Sequence, residues 1–106
     1  MPGNARIISG HFFSLINKYM PGVARVLGDN AGGTQLGPGA PSVKTEGFTT
    51  AVLGDRVAPH GDPPHVTPVM VQASSTVYAE GIQVCRQSDA ASCNHTSTGS
   101  GTVFAG

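Results

Sequence analysis

Residues 25–33 read RVLGDNAGG and residues 51–61 read AVLGDRVAPHG, and a weaker third copy, VCRQSDAASCNH, runs over residues 84–95. Asp29, Asp55 and Asp89 mark the same point in each copy. A repeat of this kind decides the fold, because each unit is one supersecondary module that cannot bury its apolar face alone and must pack against its neighbours. A second element interleaves with the first: PSVKTEG ends at Gly47, STVYAEG at Gly81 and GTVFAG at Gly106. Each unit therefore reads as a small-residue turn, a short β-type run, and a strand that leads into an Asp-marked turn. Val, Tyr and Phe alternating with Thr and Ala suit short strands with one face inward, and Gly-Asp suits tight turns. The expectation is an all-β protein, compact and pseudo-threefold, made of three hairpin-like repeats. The spacing is uneven, and the extra length between Asp55 and Asp89 falls in the loop HGDPPHVTP, which reads as an insertion with its own purpose.

Composition agrees. The chain has 106 residues, room for one small domain, with fifteen Gly, eight Pro, six aromatic residues and no Trp. That is the profile of a turn-dense protein rather than a helical bundle. Its zero net charge and ordinary apolar content differ from the charged, apolar-poor signature of disorder. Six basic residues balance six acidic ones without a basic run, which disfavours nucleic-acid binding by phosphate neutralisation. The first segment, MPGNARIISGHFFSLINKYM, has an apolar patch in Phe12, Phe13, Leu15 and Ile16, too short for a membrane span and without the charged start of a secretory signal. MPGVAR at Met20 echoes MPGNAR at Met1, so residues 1–19 are expected to be an N-terminal extension and residues 20–106 the domain proper.

Two ligand pairs stand out. His60 and His65 flank Gly-Asp-Pro-Pro, a turn that can bring both imidazoles to one side. Cys93 and His95 are one residue apart, so an extended segment would point both the same way. Zinc takes four His nitrogens and Cys sulfurs in a tetrahedron, and His60, His65, Cys93 and His95 can supply them; four ligands imply a closed, structural site. Alternatives remain at this point: solvated loop histidines beside a free cysteine, or a Cys85–Cys93 disulfide. Cys85 sits where the strand pattern asks for a small apolar residue, which suits a packed thiol. His11 reads as a surface histidine. The repeated Asp residues read as turn formers that bond backbone amides two residues on, rather than as catalytic carboxylates. Asn94-His95-Thr96 matches a glycosylation sequon.

These residues resemble the PAAR-repeat family, the small conical proteins that cap the spikes of type VI secretion systems and contractile phage tails. The resemblance covers roughly residues 20–106. It is carried by GD-x4-HG at Gly54 to Gly61, S-x-T-V-x-x-x-G at Ser74 to Gly81, and the C-x-H turn followed by GSGTVFAG. The eponymous Pro-Ala-Ala-Arg segment is degenerate: Gln83-Val84-Cys85-Arg86 stands there and keeps only the arginine. The resemblance implies a cone of three β-hairpin-like repeats, one structural zinc near the tip on His60, His65, Cys93 and His95, and no enzymatic activity. It implies a triangular base seated on a trimeric β-helical spike protein, with Val77, Tyr78, Val103 and Phe104 as candidate base residues, of which at least half are expected to serve in core packing instead, and transient contact with a target membrane. A chain of this kind would be a monomer by itself, assembled in the bacterial cytoplasm without a signal peptide and then delivered out of the cell. Two other readings are an adaptor holding a separate effector non-covalently, and a small zinc hydrolase for which Asp62 is the obvious carboxylate in the loop. Phage tail and secretion system are not separated by these residues, and His/Cys ligation favours zinc over iron or nickel.

Overall fold

The computed structural model describes residues 20–106, so the expected extension over residues 1–19 lies outside the described residues. These residues form six short strands and no helix: β1 (Gln35–Gly37), β2 (Ala40–Thr45), β3 (Phe48–Thr50), β4 (Arg56–Val57), β5 (Tyr78–Ala79) and β6 (Ile82–Gln83). The expectation of a small, compact, all-β protein is met.

Two hairpins match the interleaved element of the sequence. β2 pairs β3 antiparallel and closes at Thr45 and Phe48, and β5 pairs β6 and closes at Ala79 and Ile82. Each closes through a Glu-Gly pair with positive φ at both residues: Glu46 at 53° and Gly47 at 84°, Glu80 at 52° and Gly81 at 79°. That is the two-residue turn whose twist matches the twist of the flanking strands. The third copy, GTVFAG, is not a regular strand. Its partner comes from the start of the described chain: Phe104 bridges Gly22, Val23 N–H donates to the Val103 carbonyl at 2.8 Å, and Ala105 N–H donates to the Pro21 carbonyl at 3.0 Å. The two ends of the described chain thus complete a hairpin together, leaving fewer open strand edges.

The three units meet in a closed ring. Ala24 N–H donates to Cys85, Cys85 N–H to Ala51 and Ala51 N–H to Ala24, at 2.9, 2.9 and 3.0 Å. Bridges run round the same cycle, Arg25 with Thr50, Val52 with Val84 and Arg86 with Val23. Backbones approaching this closely leave room only for small side chains, and Ala24, Ala51 and Cys85 are fully buried there. The reading of Cys85 as a packed thiol is met: its Sγ contacts the Gln72 carbonyl at 3.6 Å. Burial, and then the charges of Asp55 and Asp89, push its pKa up to about 12, so it stays a neutral thiol.

The repeated aspartates do stabilise turns, but in the opposite direction from the one expected. Each carboxylate reaches back three or four residues: Arg25 N–H donates to Asp29, Val52 N–H to Asp55 and Arg86 N–H to Asp89, at 2.9, 2.9 and 2.8 Å. The reason is the residue before or just before each Asp. Leu27, Gly54 and Ser88 have φ of 66°, 88° and 76°, which turns the chain back so that the carboxylate faces the amide already passed. Arg25 and Arg86 add side-chain bonds to their own aspartates.

Buried side chains divide into two clusters. One gathers Ala31, Val57, Met70, Ala91 and Cys93 around the ring residues, and the other gathers Val23, Ala40, Val52, Ala79, Val84 and Ala105, with Val77 packed against it. Both consist mainly of Ala and Val, so neither is large.

Candidate metal centre

The loop after β4 returns on itself. Val57 N–H donates to the Pro68 carbonyl and closes its base, His65 N–H donates to Asp62, and His60 N–H donates to His65. Pro68 is fully buried at this closure. The result sets His60 and His65 side by side, ring centroids 4.9 Å apart. The second loop forms differently from the extended segment expected for Cys93 and His95. Asn94 has φ of 74°, its N–H donates to the Ala91 carbonyl, and Ala91 N–H donates to the His95 carbonyl. A tight turn with its middle residue left-handed, not strand alternation, puts both side chains on one side. Ser92 N–H donates to the Val69 carbonyl and Val69 N–H to Ser92 Oγ, which fastens this loop to the first.

The four side chains meet. One donor atom from each of His60, His65, Cys93 and His95 lies within 4.8 Å of all the others. His60 Nε2 is 2.9 Å from His95 Nδ1, 3.2 Å from His65 Nδ1 and 3.6 Å from Cys93 Sγ, and Cys93 Sγ is 3.6 Å from His95 Nδ1. Around a tetrahedral zinc, the usual bond lengths require N···N edges of about 3.3 Å and N···S edges of about 3.6 Å, and these four edges fall within a few tenths of an ångström of those values. Pairwise hydrogen bonding accounts for one of the contacts at His60 Nε2 but not for all of them at once, because an imidazole nitrogen has a single lone pair. His60 Nδ1 lies 2.9 Å from the Ala58 carbonyl, which accepts the ring proton and leaves Nε2 as a lone pair facing three other donor atoms. Fixing the tautomer through a backbone carbonyl is the common way a ligating histidine is oriented. The group can hold a metal ion, and no carboxylate belongs to it. Cys93 is buried, His60 and His65 are half-buried and His95 is exposed.

Both cysteines are free, so the disulfide alternative falls: Cys85 belongs to the ring and Cys93 to the histidines.

The sequence reading missed a contribution from the first repeat. A Cβ on Gly32 would lie 2.2 Å from His95 Nδ1 and 2.6 Å from His60 Nε2, and one on Gly33 would lie 2.2 Å from the Ala58 carbonyl oxygen. Gly32 also has φ of 84°. This turn therefore lies against the donor cluster at a distance only glycine allows. The signal was present: Gly32-Gly33 follows Asp29 in the stretch of the repeat that carries His60 after Asp55 and Cys93 after Asp89. All three units thus reach the same point.

A small all-β chain, built by repetition, with a three-His, one-Cys group where its units join, is a structural module of the kind the resemblance implied. The sequence profile of the PAAR motif matches residues 28–93. That is more than half of the chain, which belongs to the PAAR family, whose members are structural spike-tip proteins of contractile injection systems. No curated protein matches the chain.

Proposed function

We propose that residues 20–106 are the metal-stabilised tip of a contractile injection spike, shaped as a cone, with one zinc bound by His60, His65, Cys93 and His95. The convergence of those four donor atoms carries the reading. Four protein ligands fill a tetrahedral zinc and leave no position for a reacting water, which makes the metal structural. The physical need is plain. A point has few interior residues, and here the cluster beneath the donors is made mostly of Ala and Val. Hydrophobic burial is correspondingly small, whereas structural zinc contributes on the order of 10 kcal/mol to folding. Pro59, Pro63, Pro64 and Pro68 limit the freedom of the loop before it folds.

The other end is the surface for a trimeric β-helical spike. Tyr78, Val43 and Val103 are exposed there, while Val77 is partly buried against the second cluster. The tip assembles on its spike in the bacterial cytoplasm, is a monomer by itself, and is carried out through the target membrane. Elemental analysis of protein made without a metal-affinity tag tests the centre: one zinc per chain, lost in Cys93→Ser, is the expected result, and a stable metal-free protein would defeat it. Co-sedimentation with a trimeric spike fragment tests the other end.

A further inference from the structure

The three copies of the interleaved element differ at one buried position. Each has a hydroxyl residue followed by a valine: Ser42-Val43, Thr76-Val77 and Thr102-Val103. Two residues before the hydroxyl stand Ala40, Ser74 and Ser100, all buried. In the second and third copies the serine hydroxyl accepts two backbone N–H groups. Thr76 and Val77 donate to Ser74 Oγ at 3.1 and 2.9 Å, and Thr102 and Val103 both donate to Ser100 Oγ at 3.0 Å. This is the local turn that a serine side chain favours, and it sets the backbone that carries Val77 and Val103. Ala40 offers no such acceptor. Pairing with β3 does not replace it, because the register of β2 against β3 is interrupted between Ala40 and Lys44.

The missing acceptor comes from another hairpin. Ser42 N–H donates to Glu80 Oε2 at 2.8 Å, and the Ser42 hydroxyl donates to the same oxygen. Glu80 belongs to the turn of the β5–β6 hairpin, so this tie crosses from the second copy to the first. Glu46, the matching residue of the β2–β3 turn, also accepts from a hydroxyl, that of Thr102, but the Thr102 N–H stays with Ser100. Of the three equivalent amides, Ser42 is the one held by a carboxylate from a different hairpin. An ionised acceptor makes a stronger bond than a hydroxyl, and a two-stranded hairpin is marginal without such outside support. Val43, the next residue, is exposed and lines one concavity with Val77 and Val103. We propose that Glu80 is a positioning residue of the face that meets the spike: its carboxylate stands in for the serine hydroxyl absent at Ala40 and fixes the backbone that presents Val43. The inference rests on the spike-tip reading for the identity of the partner and adds which side chain shapes the surface it meets.

The test is amide hydrogen exchange by NMR on the whole chain, followed by affinity for a trimeric spike fragment. Glu80→Ala should speed exchange at Ser42 about three- to tenfold and leave Thr76 and Thr102 unchanged. Glu80→Gln, which keeps an acceptor oxygen, should lie between wild type and Glu80→Ala. The deciding variant is Ala40→Ser in the Glu80→Ala background: it supplies the hydroxyl that the other two copies carry, and the Ser42 rate should return toward the wild-type value. Glu46→Ala is the control, and it should leave Thr102 N–H protected by Ser100. Unchanged exchange at Ser42 in Glu80→Ala, or no recovery on adding Ala40→Ser, overturns the inference. Affinity for the spike fragment should fall about two- to fivefold in Glu80→Ala and recover in the double variant. Faster exchange at Ser42 with unchanged affinity rejects the positioning role and keeps the spike reading. A wild-type chain that binds no spike fragment defeats the spike reading, while the exchange rates still decide, on the free protein, whether Glu80 replaces the missing serine.

Discussion

The ring at Ala24, Ala51 and Cys85 and the donor cluster at His60, His65, Cys93 and His95 are both places where three units meet, and they are made in opposite ways. The ring repeats one solution three times, a backbone hydrogen bond and a small buried side chain from each unit. The cluster takes something different from each: a glycine turn from the first, two histidines on a lengthened loop from the second, and a cysteine and a histidine from the third. Repetition closes the frame, and departure from repetition makes the site. The ring is held by the backbone and is local to no one side chain, whereas the cluster depends on every one of its side chains.

The strongest way to break the comparison is to remove the proposed metal. Chelation, or Cys93→Ser, should lower the unfolding midpoint by the largest amount of any change considered, several kcal/mol against a structural-zinc contribution of about 10. Hydrogen exchange would locate the loss. Amides of His60, His65 and Ala91, whose bonds shape the two ligand loops, should lose protection, while those of Ala24, Ala51 and Cys85 keep theirs. If all six lose protection together, the ring and the site are one cooperative unit and the contrast fails.

A pair of glycine substitutions sharpens it. Gly32→Ala forces a methyl between His60 and His95 and should weaken metal binding 10- to 100-fold or more, as displaced supporting groups do at metal sites. Gly47→Ala has the same φ of 84° but nothing within 4 Å of the new Cβ. It should cost about 1 kcal/mol from the backbone alone and leave metal affinity untouched, as measured by competition with a colorimetric chelator. In the ring, Cys85→Val should cost about 1–3 kcal/mol by overpacking, and Cys85→Ala only about 1 kcal/mol, read from urea midpoints.

Much of this was legible in the residues, and the limit is physical. The repeated Asp and the interleaved Glu-Gly turns give the three units and the hairpins, because turn chemistry is local. That His60, His65, Cys93 and His95 belong together, as their convergence bears out, could be read because only a few side chains bind metals of this kind. How Cys93 and His95 come to face the same way could not be read, since it depends on Asn94 adopting a left-handed conformation that several residue types can take. The ring was not legible either, because it is backbone bonding between segments about thirty residues apart, and Ala24 and Ala51 carry no sign of it. Gly32 falls between these cases: its place in the repeat was visible, but its contact with the histidines is a matter of packing.

The smallest expected effect concerns the three aspartates, where the units are alike in role and unlike in charge balance. Asp29 and Asp89 have arginine partners. Among the described residues, the Asp55 carboxylate has the N–H groups of Val52 and Gly39 and no arginine, and burial, outweighing those bonds, raises its pKa above the ordinary carboxylate value. A raised folded pKa means that the folded state holds the proton more firmly than the unfolded one, so this group's favourable contribution is present below the unfolded value and is lost as pH rises through the folded one. Glu46 and Glu80 act in the other direction. Bonds from Thr102 and from Ser42, respectively, hold them below the ordinary value, so their contribution is present at neutral pH and lost on acidification. Between about pH 3 and pH 6, Asp55→Asn should therefore steepen the loss of stability on acidification, and Glu46→Gln should flatten it. Denaturation midpoints across that range would show both slopes. Slopes that change in the same sense would mean that the Asp55 turn is held like the other two, and that the repeats are more alike than their partners suggest.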